Sequence, residues 1–319
     1  MRRMLEVGPN EFLAASIAEG VTGGGISAVR HSPTRRYRHL YDVSLTDKRR
    51  VIVRIGLPEE REALAQTAYW TDQLRPIGIP LPEIFARDLE SLFPSLVTER
   101  LPGSRLGRAL PKLSRATIGT LAGTMADQQS LVARLPSSGR FGWASDPEAA
   151  PYDSWAEALD AILTTNTAGI RDQALLDPAG ADQIRLRFER AASRLDGMLA
   201  LPFIPDAATA TVVVRDSGQL SGLVDINGLC WGDPRMAPAS TLMALLNGGL
   251  STAYAEAWLA LSGHARDGIF WLYVGIACVQ VMGEYGRTDL GTATGSTVAD
   301  RHRLGKTLSY LIDLIDRTL

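Results

Sequence analysis

One short β-rich island inside a long helical stretch constrains this chain more than any other feature. Ala210 to Arg215 and Leu220 to Asp225 read as two strands hinged at Asp216-Ser217-Gly218. On both sides the apolar spacing is helical, over residues 113–131, 154–165 and 178–199 before the island and 236–246, 251–262, 268–284 and 297–318 after it. A lone hairpin is marginal in water, so it must dock into the helical body around it. Its second strand ends in Leu223-Val224-Asp225, which delivers one carboxylate from a buried strand to the edge of the core.

The first hundred residues follow a different pattern. A helix is expected over residues 10–20, with Asn10 as its cap and Phe12, Leu13 and Ile17 on one face. Gly23-Gly24-Gly25 ends it. Strands follow at Ile26 to His31, His39 to Leu45 and Arg50 to Ile55, the last two joined by a turn at Thr46-Asp47-Lys48. Pro58 to Leu74 is helical, with Glu59 and Glu60 in the favourable first turn. An extended Glu83-Ile84-Phe85 and a strand from Phe93 to Arg100 complete the segment, which closes at Leu101-Pro102-Gly103.

Composition excludes several classes. The net charge of the 319 residues is −2, which gives no general attraction to nucleic acid or to an anionic membrane. The two cysteines, Cys230 and Cys278, sit in apolar settings, which argues against a disulfide framework or a cysteine zinc site and suits a cytoplasmic protein. Met1 to Glu6 is too polar to begin a signal peptide. The longest apolar run, Ile269 to Met282, is shorter than a bilayer span and reads as a buried helix. The sequence has no Gly-x-Ser-x-Gly elbow, no HExxH pair and no CxxC.

Leu223-Val224-Asp225 followed by Trp231-Gly232-Asp233-Pro234 resembles the metal-binding strand of the aminoglycoside phosphotransferase family. Leu96 to Gly103 is similar to that family's connector, and Phe141-Gly142-Trp143 to another of its segments. The resemblance implies an α+β, protein-kinase-like fold in two lobes. Residues 1–101 would form an N-terminal antiparallel sheet with a helix, and 102–319 a mainly helical C-terminal lobe with the catalytic-type hairpin.

It also implies roles. Arg54 in Val51-Ile52-Val53-Arg54-Ile55 looks like the phosphate-contacting position, and Glu62 is the best-placed helix glutamate to pair with it, although a direct match falls nearer Thr67. Glu99 and Leu101 fall in the connector that holds the base. Asp206, 19 residues before Asp225, takes the place of the catalytic base, while Asp225 and Thr211 take those of the metal ligands. Arg35 and Arg36 lie in the loop that would cover the phosphates. The cofactors implied are ATP or GTP with Mg2+, and the partner a small-molecule or peptide substrate bearing a hydroxyl. Each residue also has a plainer reading: Asp206 as a turn residue after Pro205, Asp225 as a strand-end carboxylate, Arg54, Arg35 and Arg36 as solvated charges, and Glu62 as a first-turn charge.

The departures cluster in the loop before the hairpin. Thr211 stands for the family's Asn, Ala208 for its second His, Gln129 for an upstream His and Ala237 for an Asp beyond Pro234. The phosphate-covering loop, Ser32 to His39, has no glycine. These losses leave two expectations open: a divergent phosphotransferase, or a catalytically impaired kinase-fold protein that binds a protein partner. Trp258, Trp271, Tyr273 and Glu284 are candidates for an acceptor pocket.

Overall fold

The computed structural model describes residues 8–34, 38–285 and 297–319. Arg35 and Arg36 lie outside the described residues. Helix α1 (Glu11–Thr22) precedes strands β1 (Ile26–His31), β2 (Leu40–Leu45) and β3 (Arg50–Ile55), helix α2 (Arg61–Leu74), and strands β4 (Ile84–Asp88) and β5 (Ser95–Glu99). The strands form one antiparallel sheet in the order β1-β2-β3-β5-β4.

Asn10 caps α1, its side chain accepting a hydrogen bond from the Leu13 amide at 2.9 Å, and Gly23 ends the helix with φ 64°. The face expected to carry Phe12 is a correction: Phe12 is 85% exposed, and Ala14 and Ala18 pack on the sheet instead. Small residues there bring the helix backbone close to the strands.

Alternation along β2 and β3 sends Tyr41, Val43, Val51, Val53 and Ile55 toward α1. The intervening Leu40 and Ile52 pack with Leu64 and Ala68 of α2. Asp42 and Arg54 belong to this second set of positions and are nevertheless buried, at 5% exposure each. Both faces of the sheet are therefore covered, and two charges are enclosed with one of them.

Past the connector come β6 (Ser104–Arg105), α3 (Leu106–Ala109), α4 (Arg115–Val132), β7 (Gly142–Ala144), α5 (Trp155–Gln173), α6 (Ala179–Leu195) and β8 (Leu201–Phe203). The expected hairpin is β9 (Val212–Val214) and β10 (Leu220–Leu223), followed by β11 (Leu229–Gly232) and helices α7 (Met236–Asn247), α8 (Ala253–Leu261), α9 (Gly268–Glu284) and α10 (Val298–Thr318). The hairpin is joined by β6, and β11 lies between β7 and β8 in a second small sheet. Strands β6, β7, β8 and β11, of two to four residues each, carry no periodicity that a sequence reading can detect.

Helix α9 forms the centre of the C-terminal core, buried along nearly its whole length against α5, α7 and α10. Among the described residues no helix is long and apolar enough to cross a membrane. Helix α5 runs to Gln173, past the expected end near residue 165. Thr164, Thr165 and Thr167 weaken the helical signal there, but burial of Thr167 and Ile170 carries the helix on.

Candidate active site

Two elements from opposite sides of a cleft deliver the central charges. Arg54 comes from the cleft face of β3. Asp225 follows β10, whose Leu223 amide donates to the Pro80 carbonyl at 2.8 Å and whose neighbour Val224 donates to the Thr211 carbonyl at 2.9 Å. Asp225 itself adopts φ 66°, a left-handed backbone that few non-glycine residues hold. Such local strain is maintained by the surrounding structure and concentrates at functional sites. The carboxylate is 8% exposed and takes a hydrogen bond from Arg54 Nη2 to Oδ1 at 2.5 Å. Its other oxygen faces Arg105 Nη2 at 3.6 Å.

The pairing expected for Glu62 is corrected. Glu62 is exposed on the first turn of α2 and accepts from the Gln66 amide at 3.1 Å. The part of α2 that shares a small cavity with Arg54 and Asp225 presents Thr67 and Thr71. Both hydroxyls donate to carbonyls one turn back in their own helix. Asp225, from the other side of the cleft, thus supplies the carboxylate contact that a helix glutamate was expected to supply.

Beside this pair a cavity of about 320 Å³ opens between the sheet and the hairpin. Leu40 and Ile52 line it from the sheet, and Leu101, Val213 and Val224 from below, giving apolar walls of the kind that hold a flat base. Glu99 and Leu101 both line it. The Leu101 carbonyl accepts a hydrogen bond from Arg100 Nη1. Among the described residues the lining carries five arginines against two carboxylates.

One of those carboxylates was missed in the sequence. Asp42 Oδ2 meets Arg100 Nε at 3.2 Å and Arg30 Nη2 at 3.4 Å, and Arg50 reaches the same group through Nε at 3.1 Å and through Nη2. Arg30 pairs with Asp42 across β1 and β2, and Arg50 lies opposite Ser44, two positions along β2, so strand register is the signal that could have found this cluster. Arg105 and Arg108 had no comparable signal, because β6 and α3 are too short to show a period.

The loop before β9 is fixed at several points. Gln129 of α4 donates from Nε2 to the Ile204 carbonyl and accepts from the Ile204 amide at Oε1, both at 2.9 Å. It thereby anchors the chain two residues before Asp206. Thr211 Oγ1 donates to the Asp206 carbonyl at 2.8 Å and accepts from the Ala208 amide at 3.1 Å. The Thr211 hydroxyl, expected as a metal ligand, closes the loop on itself. Gly107 donates to the Thr209 carbonyl at 3.1 Å, tying α3 to the same loop. Asp206 is half-buried and acts electrostatically on Arg105. Burial pulls the Arg105 guanidinium below the usual arginine range, with Arg54 and Arg100 adding repulsion and Asp225 and Asp206 opposing it.

Asp233 of the Trp-Gly-Asp-Pro segment does structural work. Its Oδ2 accepts from Tyr273 Oη at 2.9 Å and from Arg235 Nε at 2.8 Å, and Trp155 Nε1 donates to Tyr273 Oη at 2.9 Å. Tyr273 and Trp271 are accordingly core residues, not the pocket lining expected of them, whereas Trp258, also buried, borders a separate cavity of about 190 Å³ beside Gln129 and His264. Cys230 and Cys278 are free and buried, and burial pushes the Cys278 thiol up to about 12.

Among the described residues no three His, Cys, Asp or Glu side chains gather as a metal cage. Mg2+ needs no such cage, since it keeps several waters and binds through one or two carboxylates plus phosphate oxygens. Asp225, buried and lining the small cavity it shares with Arg54, is a carboxylate of that kind.

A family model described as the phosphotransferase enzyme family matches residues 37–270. No curated protein matches the chain. Among solved structures, a thermostable mutant of aminoglycoside phosphotransferase APH(4)-Ia in ternary complex with AMP-PNP and hygromycin B is similar, with 13% identity, a TM-score of 0.64, and coverage of 94% of this chain and 97% of that one. Choline kinase LicA from Streptococcus pneumoniae gives 14%, 0.64, 94% and 99%. The putative fructosamine-3-kinase from Thermobifida fusca gives 16%, 0.62, 95% and 98%.

Proposed function

This chain belongs to the phosphotransferase enzyme family, and from that premise we propose that it transfers the γ-phosphoryl group of ATP or GTP to a hydroxyl of a small molecule. The observation that carries this reading is the contact of Arg54 with Asp225 at one end of an apolar-walled cavity. The structural neighbours are consistent with a purine nucleotide there, since one complex holds AMP-PNP with hygromycin B and another, of an aminoglycoside phosphotransferase, holds GDP.

Phosphoryl transfer asks a protein for position and charge neutralisation more than for covalent chemistry. Leu40 and Ile52 above and Leu101, Val213 and Val224 below hold the base. Arg54 binds phosphate oxygens, an arrangement in which its planar guanidinium can form two parallel hydrogen bonds. Asp225 would hold Mg2+, which when bound neutralises charge on the phosphates. Asp206 orients the acceptor hydroxyl and takes its proton as the oxygen bonds to the γ-phosphorus. The bond from that phosphorus to the bridging oxygen breaks, its electron pair leaving with the nucleoside diphosphate. Gln129 holds the loop that sets the position of Asp206.

The test is calorimetric binding of ATP and GTP, with and without Mg2+, to the chain and to Asp225→Asn, alongside hydrolysis in the absence of acceptor. Metal-dependent binding lost in the variant is expected. No nucleotide binding by the unaltered chain sinks the phosphotransferase reading and leaves the accessory-protein alternative.

A further inference from the structure

Arg105 carried no expectation from the sequence, yet the fold places it in the cleft beside Asp225. It stands on β6, where it pairs with Val213 of the hairpin. Gly103, with φ 104°, makes that crossing possible: a Cβ there would lie 2.0 Å from the Val214 carbonyl oxygen. Arg105 therefore enters on the same small sheet that carries the hairpin, fixed by backbone pairing and not by a mobile loop.

Its guanidinium shares the Asp225 carboxylate with Arg54, one arginine to each oxygen. Its Nη1 is buried and has no hydrogen-bond acceptor among the described residues. A buried cationic donor without an acceptor is costly, and a phosphate oxygen is the partner that best removes the cost. Arg108, one turn on, lines the same cavity, where arginines outnumber carboxylates. The cavity is thus short of negative charge, and the shortage lies beside Asp225, where the phosphates would pass.

We propose that Arg105 is a catalytic residue of the phosphoryl transfer proposed above, binding the nucleotide's terminal phosphates from the hairpin side of the cleft while Arg54 binds them from the sheet side. The inference rests on the phosphotransferase reading. In the transfer already described, negative charge spreads over the three γ-phosphate oxygens as the bridging bond breaks, and a second guanidinium there stabilises it. An arginine in that role is worth a rate factor of about 10³ or more in other phosphate-transferring enzymes.

The experiment uses the full chain and inorganic triphosphate without metal, so that binding is read apart from turnover. Arg105→Ala is expected to weaken triphosphate binding about tenfold or more, with Arg134→Ala, an exposed arginine outside the cleft, unchanged. Arg105→Lys, which keeps the charge and guards against misfolding, is expected to bind triphosphate nearly as the unaltered chain does but to turn over more slowly. An Arg105→Ala protein that folds, binds triphosphate undiminished and turns over normally overturns the inference while leaving the phosphotransferase reading intact. An unaltered chain that binds neither triphosphate nor nucleotide overturns both.

Discussion

Arg54 and Asp225 stand 171 positions apart in the chain and meet across the cleft at 2.5 Å, each less than a tenth exposed. The contact joins the sheet to the hairpin and sets the resting state of the site. In the proposed phosphotransferase, phosphates entering the cavity would compete with Asp225 for Arg54, and a metal ion would compete with Arg54 for Asp225.

Breaking this pair from one side leaves an uncompensated buried charge. Arg54→Ala should destabilise the fold by about 3 kcal/mol, at the low end of the usual range because Arg105 still faces the carboxylate. Combining it with Asp225→Asn should cost less than the two single changes added together. Denaturant unfolding of the three variants checks this, and strict additivity would deny any coupling between the residues.

Gln129 uses both ends of its amide on Ile204, so removing the amide and charging it should both weaken the loop's anchorage. Gln129→Ala loses both hydrogen bonds and should cost about 2 kcal/mol. Gln129→Glu keeps the acceptor for the Ile204 amide but sets a carboxylate against the Ile204 carbonyl, and should cost at least as much. Both should lower kcat more than they raise KM for nucleotide, because Asp206 lies two residues beyond Ile204. Equal kcat in all three proteins would separate Gln129 from the positioning of Asp206.

Gly103→Ala meets two obstacles together, a left-handed backbone and the Val214 carbonyl. A loss of more than about 3 kcal/mol is expected. Thermal unfolding reads the loss directly, and a near-neutral alanine would mean that β6 can leave the hairpin without penalty.

His264 is half-buried near Asp233 and Arg235, and burial lowers its pKa, with Arg235 adding to the effect and Asp233 opposing it. Above its ordinary value of 6.5 the group is neutral in the folded and unfolded chain alike, and its contribution to stability is complete. As the pH falls below that value the unfolded chain takes up a proton that the folded one resists, so stability is lost toward acid. His39 shifts in the same direction, again mainly through burial. His264→Gln should therefore reduce the difference in unfolding midpoint between about pH 7.5 and about pH 5.5. An unchanged difference would assign the acid sensitivity elsewhere.

Much of the fold was legible because its elements are long enough to show a period. Apart from the C-terminal end of α5, the helices from α4 to α10 and the strands of the first sheet were expected close to where they stand, and the hairpin was expected around its true turn. The N-cap at Asn10 was readable for the same local reason. Phe12 was misplaced because an amphipathic face can be read in outline while the packing choice between large and small residues cannot. Glu62 was misassigned because the rotation of α2 relative to β3 decides which side chains reach Arg54, and that rotation is set by packing.

The sequence by itself determined the strand that carries Arg54, the order of sheet, connector, hairpin and helices along the chain, and the Asp206-to-Asp225 spacing. These follow from local propensity and from periods of two and 3.6 residues. Only the tertiary structure decided that Asp42 gathers three arginines, that Thr211 closes its own loop and that Arg105 shares Asp225 with Arg54. Each depends on where separate segments meet after the core has packed. Ion pairing acts over a few ångströms in space and leaves no period along the chain.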